Sequence, residues 1–314
     1  MSIVPDKLYH LGGVAVGSSR DFEGWWGGET FFVDYDNGTT GVRGDEMGRP
    51  QKHLRIAINN AGTDDTIYVR PRAYATGTYG EDPQEITPDT AASWVVTSKK
   101  NLSLIGTGKG LGHASAHKCW IGNYGSLTTA VLSIYSPGCV IENFRADPGS
   151  RTSGVFYTKN SGTATEDGGN TTFINNDFHD ANTSGGIKVD SCWQMSIIGN
   201  RFVNCDVGIL ITSYYSVPQI FSIHDNIFVA STSEVQNDVY ATGGVKRFSA
   251  YNNLHCHGTP ALGGTNVYYN LATTSTGMIT NCRFGAEGTT DTGFMTLNGV
   301  VQSGNYSSDA LIVT

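Results

Sequence analysis

The sequence predicts an all-β chain wound as a right-handed parallel β-helix, and three observations carry that prediction. A short phrase recurs at a nearly constant interval, runs alternating with period two lie between its copies, and only one stretch shows helical periodicity. The clearest copy reads "SIIGNRFVNCDVGILI" (196–211). Aligned on asparagine, "TTFINNDFHD" (Asn176), "MSIIGNRFVN" (Asn200), "FSIHDNIFVA" (Asn226) and "FSAYNNLHCH" (Asn253) lie 24, 26 and 27 residues apart. Weaker copies carry Asn143, Asn281 and Asn305. A propeller blade needs ~40 residues or more, so these units are too short for one. One coil of a parallel β-helix fits them, with equivalent residues stacked ~4.8 Å apart. Ile197 and Ile223 then share one inward column, and Phe178, Phe202 and Phe228 another. The asparagine column belongs at a turn, in left-handed backbone, with each amide bonded to the next.

The elements follow in chain order. Residues 1–30 are unlike the repeats and form a separate N-terminal attachment segment. Its "FEGWWGGETFF" places Trp25 and Trp26 among glycines, either as packing against the cap or as anchors for docking to a larger assembly. "RPQKHLRIAINNAG" (49–62) sets Leu54, Ala57, Ile58 and Ala61 at i, i+3, i+4 and i+7, so it is a helix capping the N-terminal end of the solenoid. "DTIYV" (65–69), "NLSLIG" (101–106) and "AVLSIY" (130–135) read as looser coils. "GVFYTK" (154–159), "GIKVDS" (186–191), "GILITS" (208–213), "DVYATG" (238–243), "NVYYNL" (266–271) and "GFMTLN" (293–298) are the second strands of later ones. The β-helix is expected over 31–306, with about eight or nine coils at the inter-strand spacing. The tail, 307–314, includes the apolar "DALIV", which is expected to be covered by another chain.

Composition narrows the function classes. Twenty Lys and Arg stand against 28 Asp and Glu with no basic block, which excludes the electrostatic footprint of a nucleic-acid binder. No stretch approaches the ~20 apolar residues of a membrane span, so no membrane insertion is expected. The first residues lack a basic region followed by an apolar one, which predicts synthesis in a host cytoplasm without ordinary export. The six cysteines are scattered and read as buried free thiols.

The run "FFVDYDNGTTGVRGDEMGRPQKHLRIAINNAGTDDTIYVRP" (31–71) resembles the opening of pectate-lyase-like parallel β-helix proteins. The resemblance implies the fold over nearly the whole chain. It specifies chemistry poorly, because the scaffold serves pectate lyases, polygalacturonases, alginate-modifying enzymes, bacteriophage tailspikes and virion surface proteins. The Asn-Thr-Asp, Asp-Asp, Gly-His-Gly and Arg-Ile-Lys motifs of polygalacturonase-like enzymes are missing: Ile187-Lys188 lacks the Arg, and "HGT" (257–259) lacks the first Gly. A pectate-lyase calcium site needs clustered carboxylates, and the second-strand face offers only Lys188 and Asp190.

A glycosidase needs two carboxyl groups about 5–9.5 Å apart. The densest acidic neighbourhood holds Asp177, Asp180, Asp190 and Asp206. Alignment sets Asp177 beside Arg201 as a rung-to-rung ion pair and Asp180 beside Asn204 at a turn, leaving Asp190 with Asp206 as the remaining catalytic pair. No metal or cofactor is expected. His113, His117 and Cys119, like His255, Cys256 and His257, lack the second half of a zinc site, and His255 aligns with the inward Phe column. On the outward face, Phe156, Leu210, Tyr240 and Tyr268 are expected to line a subunit interface or a glycan-binding surface.

The sequence therefore favours a structural protein on the surface of a bacteriophage virion, a head decoration or small tail fibre. It would be a homotrimer attached to capsid or tail proteins through its N-terminal segment. The alternative is a tailspike-like depolymerase, a lyase or hydrolase of bacterial surface polysaccharide.

Overall fold

The computed structural model describes residues 8–11, 14–18, 28–72, 86, 94–108, 118–122, 130–146, 155–163, 166–181, 184–230, 236–257, 266–286, 295–296, 298–307 and 310–312. Trp25 and Trp26, His113 and His117 lie outside the described residues. Three sheets of ten, nine and eight strands wrap a common core, and the chain visits them in rotation to form a right-handed parallel β-helix. One full coil runs Ile187–Asp190 (eight-stranded sheet), Trp193–Ile198 (ten-stranded sheet) and Arg201–Val203 (nine-stranded sheet). The ten-stranded sheet has rungs from Thr30–Val33 to Val300–Ser303. That exceeds the eight or nine coils expected, because pairing begins at Thr30–Val33, ahead of the cap helix.

The cap helix is Leu54–Asn60, shorter than the periodicity suggested. Gln51 delays its start: its backbone bonds both ways with the strand through Phe32 and Asp34, so residues before 52 belong to a sheet edge. Leu54, Ala57 and Ile58 bury against the N-terminal end of the core with Phe31, Ile67 and Trp94. At the other end Ala310–Ile312 turns back and pairs antiparallel with Asn305–Ser307. The apolar tail is thus itself the last strand of this sheet, paired on one side with Asn305–Ser307. Leu8–Leu11 and Val14–Ser18 form a separate antiparallel pair.

Like residues stack as the repeat requires. Phe173, Ile197, Ile223 and Ala250 are register partners and fully buried. Phe178, Phe202 and Phe228 stack face to face at 5.0 and 4.8 Å, and His255 continues the pile on Phe228 at 4.9 Å. His255 is a core residue, its Nδ1 2.6 Å from Asp238 and its Nε2 3.1 Å from the Tyr269 hydroxyl. The glycines that open two coils make room for these rings. A Cβ on Gly208 would meet Phe228 Cε1 at 2.8 Å and the Asp238 carbonyl oxygen at 2.7 Å.

The asparagine ladder is present, with one correction. Asn176, Asn200, Asn226 and Asn253 are buried, and the side-chain amides of the first three each donate to the Oδ1 of the next asparagine at 3.0 to 3.1 Å. The left-handed residue is the one before each: Asn175, Gly199, Asp225 and Asn252, with φ between 53° and 63°. Asn143 and Asn281 occupy this left-handed position rather than the ladder, where Phe144 and Cys282 stand instead. Asparagine suits both places, so alignment on the letter alone merges them. Five of the six cysteines are buried and all are free thiols.

Candidate functional site

The residue between ladder asparagine and stacked ring points outward on the nine-stranded sheet. Register makes one row of these residues: Trp120, Arg145, Asp177, Arg201, Ile227, Leu254, Arg283 and Tyr306. An outward row should be wet. At its upper end, however, Asp177 is 1% exposed, Arg145 is 7% exposed, and His179 and Lys118 are equally buried.

These buried groups form one charged centre. Asp177 lies 3.1 Å from His179 Nε2 and 3.8 Å from Arg201 Nη1, yet neither of its oxygens accepts a well-directed hydrogen bond. Arg145 sets its guanidinium 4.5 Å over the Trp120 ring. Lys118 donates from Nζ to the carbonyl oxygen of Asn175. Burial drives the Lys118 pKa down from the usual 10.5 to about 8; Asp177 opposes that shift and Arg201 adds to it. Among the described residues, three basic side chains and a histidine thus gather about one carboxylate, and a lysine within reach of neutrality sits among them. Perturbed titration in a desolvated cluster is a functional signature.

A calcium ion of the pectate-lyase kind needs several carboxylates. Among the described residues no three His, Cys, Asp or Glu side chains converge, and cations surround Asp177. The described residues do not fit such an ion.

The other residues singled out from sequence are dispersed. Asp180 is exposed in a left-handed turn (φ 51°) stacked on Asn204 (φ 51°). Asp190 is buried and already engaged: its Oδ1 accepts from Ser191 Oγ at 2.9 Å and from the Tyr214 backbone at 3.1 Å. Asp190 pairs in register with Thr212, six positions along the strand from Asp206. At ~3.3 Å per residue that separates the two by roughly 20 Å, so they do not form a carboxylate pair.

The outward assignment of Phe156 and Tyr268 is corrected. Phe156 pairs with Ile187 and Leu132 in an inward column and is fully buried. Tyr268 is buried against His255 and Phe284. The outward row of the eight-stranded sheet is Tyr157, Lys188, Leu210, Tyr240 and Asn270; Leu210 is 8% exposed and Tyr240 half-buried. Exposed aromatic surface instead appears at Tyr214 and Tyr215, whose turn is braced by Asp190 and Ser191.

No protein-family model matches the chain, and no curated protein matches it in sequence. Among solved structures the chain is similar to pectate lyase Pel9A, at 11% identity and a TM-score of 0.39, covering 91% of this chain and 82% of that one. It is also similar to the GH136 lacto-N-biosidase from Eubacterium ramulus, at 10% identity and a TM-score of 0.36, covering 90% and 68%.

Proposed function

We propose that the chain cleaves an acidic polysaccharide by β-elimination at the Lys118–Asp177–His179–Arg201 centre. The observation that carries this reading is the buried excess of cations around one carboxylate, with a lysine amine lowered to about 8. Hydrolysis asks for two carboxyl groups; the described residues of the centre supply Asp177 alone. Elimination from a uronate asks for a base and for positive charge beside the sugar carboxylate. Neutral Lys118 takes the proton next to the carboxylate, at a pKa near working pH where a general base is most effective. Arg201 and Arg145 offset the negative charge that builds on the carboxylate as the proton leaves. His179, whose Nε2 lies 3.1 Å from Asp177, returns a proton to the departing glycosidic oxygen.

The test is incubation with a panel of uronate-containing polysaccharides, followed by the ultraviolet absorbance of unsaturated sugar ends. The expected result is an unsaturated product with the native chain and none with Lys118→Met. Reducing ends without unsaturation, or no cleavage of any uronate polymer, would overturn the proposal.

A particle-bound homotrimer is the second reading. It draws support from Met278 and Val301, register partners on the outer face of the ten-stranded sheet that are 51% and 67% exposed. Apolar side chains stacked in this way suit a subunit contact. The mass of the chain in solution tests it: a monomer at micromolar concentration removes its support.

A further inference from the structure

Along the same outward row, toward the C-terminal end, lies a cleft of about 430 Å³ lined by Asn252, Asn253, Leu254, Asn281, Arg283 and Tyr306. Register places Arg283 between Leu254 and Tyr306. Its guanidinium is exposed and has no ion pair or hydrogen bond among the described residues, whereas Arg43, Arg70, Arg72 and Arg201 each face a carboxylate. Among the described residues no acidic side chain lines the cleft, and Arg283 is its one charged group.

The neighbouring groups are equally unspent. Asn252 and Asn281 hold left-handed turn positions on adjacent rungs, with φ 55° and 53°. Their backbone N–H groups are used in the coil, donating to the carbonyl oxygens of Thr280 and Ser303. Their side-chain amides have no partner among the described residues and line the cleft. Tyr306, 42% exposed, adds an aromatic face and a hydroxyl with no bond to a described residue. A planar fork of N–H donors matches a carboxylate, amides match vicinal hydroxyls, and an aromatic face packs against an apolar ring face.

We propose that this cleft is a binding subsite for a carboxylated sugar unit: Arg283 holds the carboxylate, Asn252 and Asn281 the hydroxyls, and Tyr306 the ring. It lies three rungs from Arg201 in the same row, about 14 Å at ~4.8 Å per rung, as a distal subsite of one groove. Its place in that groove rests on the elimination reading; its affinity for a uronate does not.

The test is calorimetric titration of the full chain with homo-oligomers of galacturonate, mannuronate and guluronate, alongside their neutral, carboxyl-reduced counterparts. An acidic oligomer is expected to bind, its neutral counterpart at least tenfold more weakly, and Arg283→Gln to lose tenfold or more on the acidic one alone. Tyr306→Ala should weaken both forms. A melting temperature equal to the native one checks that these exposed substitutions leave the fold intact. Binding indifferent to Arg283, equal affinity for the neutral oligomers, or no binding by any acidic oligomer overturns the subsite. Arg283-dependent binding by a chain that cleaves nothing sustains the subsite while the elimination reading falls. Cleavage that ignores Arg283→Gln in both rate and affinity does the reverse.

Discussion

Replacing Lys118 by Met should stabilise the chain while abolishing its activity, and the stabilisation should depend on pH in a defined direction. Lys118 is 1% exposed, and its pKa falls from 10.5 to about 8 because burial penalises the ammonium more than Asp177 repays. At 1.36 kcal/mol per pH unit, that is a cost of about 3 kcal/mol for holding the charged form in the folded state. Below pH 8 the folded and unfolded chains both carry the ammonium, and the full cost is present. Between pH 8 and 10.5 the unfolded chain holds more protons than the folded one, so native stability climbs with pH. Above 10.5 both forms are neutral and the cost has gone. Methionine keeps the apolar stem and carries no charge, and the carbonyl oxygen it releases belongs to Asn175, an exposed turn residue that water can reach. Guanidinium or thermal unfolding of both proteins at a series of pH values is the assay. The variant should be more stable by about 3 kcal/mol at pH 7, with the gap closing between pH 8 and 10.5. The native rate of elimination should climb about tenfold per pH unit below 8 and level off above it. A stability gap that does not change with pH, or a variant weaker than the native chain at pH 7, would refute the reasoning.

Other substitutions test the frame and the site separately. Asn226→Ala removes the acceptor for the Asn200 backbone and side-chain N–H groups and the donor to the Ile197 carbonyl oxygen, all buried. A loss of about 3 kcal/mol or more is expected, measured by chemical unfolding. Gly208→Ala drives a methyl into the Phe228 ring and the Asp238 carbonyl oxygen, and should cost about 1–3 kcal/mol in the same assay. Asp190→Asn and Asp206→Asn should leave turnover unchanged, since Asp190 is spent bracing the Tyr214 turn and Asp206 immediately precedes a strand of the eight-stranded sheet. Loss of activity in either would move the reaction to the eight-stranded sheet.

Much of the frame was legible in the sequence, because a solenoid repeats its constraints. Buried columns demand the same residue type every coil, so the asparagine interval and the Phe178–Phe202–Phe228 stack could be read from spacing, as could the inward place of His255. Phase was harder. Aligning "GVFYTK" with "GIKVDS" on their first glycines sets Phe156 opposite Lys188, whereas the ladder pairs Phe156 with Ile187 and Tyr157 with Lys188. A slip of one residue turns every side chain to the other face. Tyr268 escaped for a different reason: it lies opposite Asp238, next to His255, where the chain turns its side chain into the core. Lys118 stands in "GHASAHKC", where His113, His117 and Cys119 carry the more conspicuous, metal-like pattern. Its partners Asp177 and Arg201 are one coil apart, but Lys118 is 57 residues from the carbonyl it binds. The recurring phrase did hold a usable signal, namely the residue between the asparagine and the ring.

That position explains why chemistry collects where it does. Its neighbours on either side are fixed by the amide ladder and the ring stack, so its backbone is held rigidly while its side chain is free of the core. Successive coils therefore carry Asp177, Arg201, Ile227, Leu254 and Arg283 as a ruler with a pitch of ~4.8 Å. If the charged centre and the Arg283 cleft belong to one groove, the apolar residues between them floor the path of the glycan. Ile227 is 39% exposed and one rung from Arg201, so Ile227→Asp tests this continuity. The fold should tolerate it within about 1 kcal/mol, because the side chain is outside both buried columns. The new carboxylate would face Arg201 and repel a polyanion along its whole course. Oligouronates long enough to span the three rungs should therefore lose at least tenfold in affinity, while a single uronate unit at Arg283 should bind as before. Equal losses for short and long ligands would mean that the two sites do not share a groove.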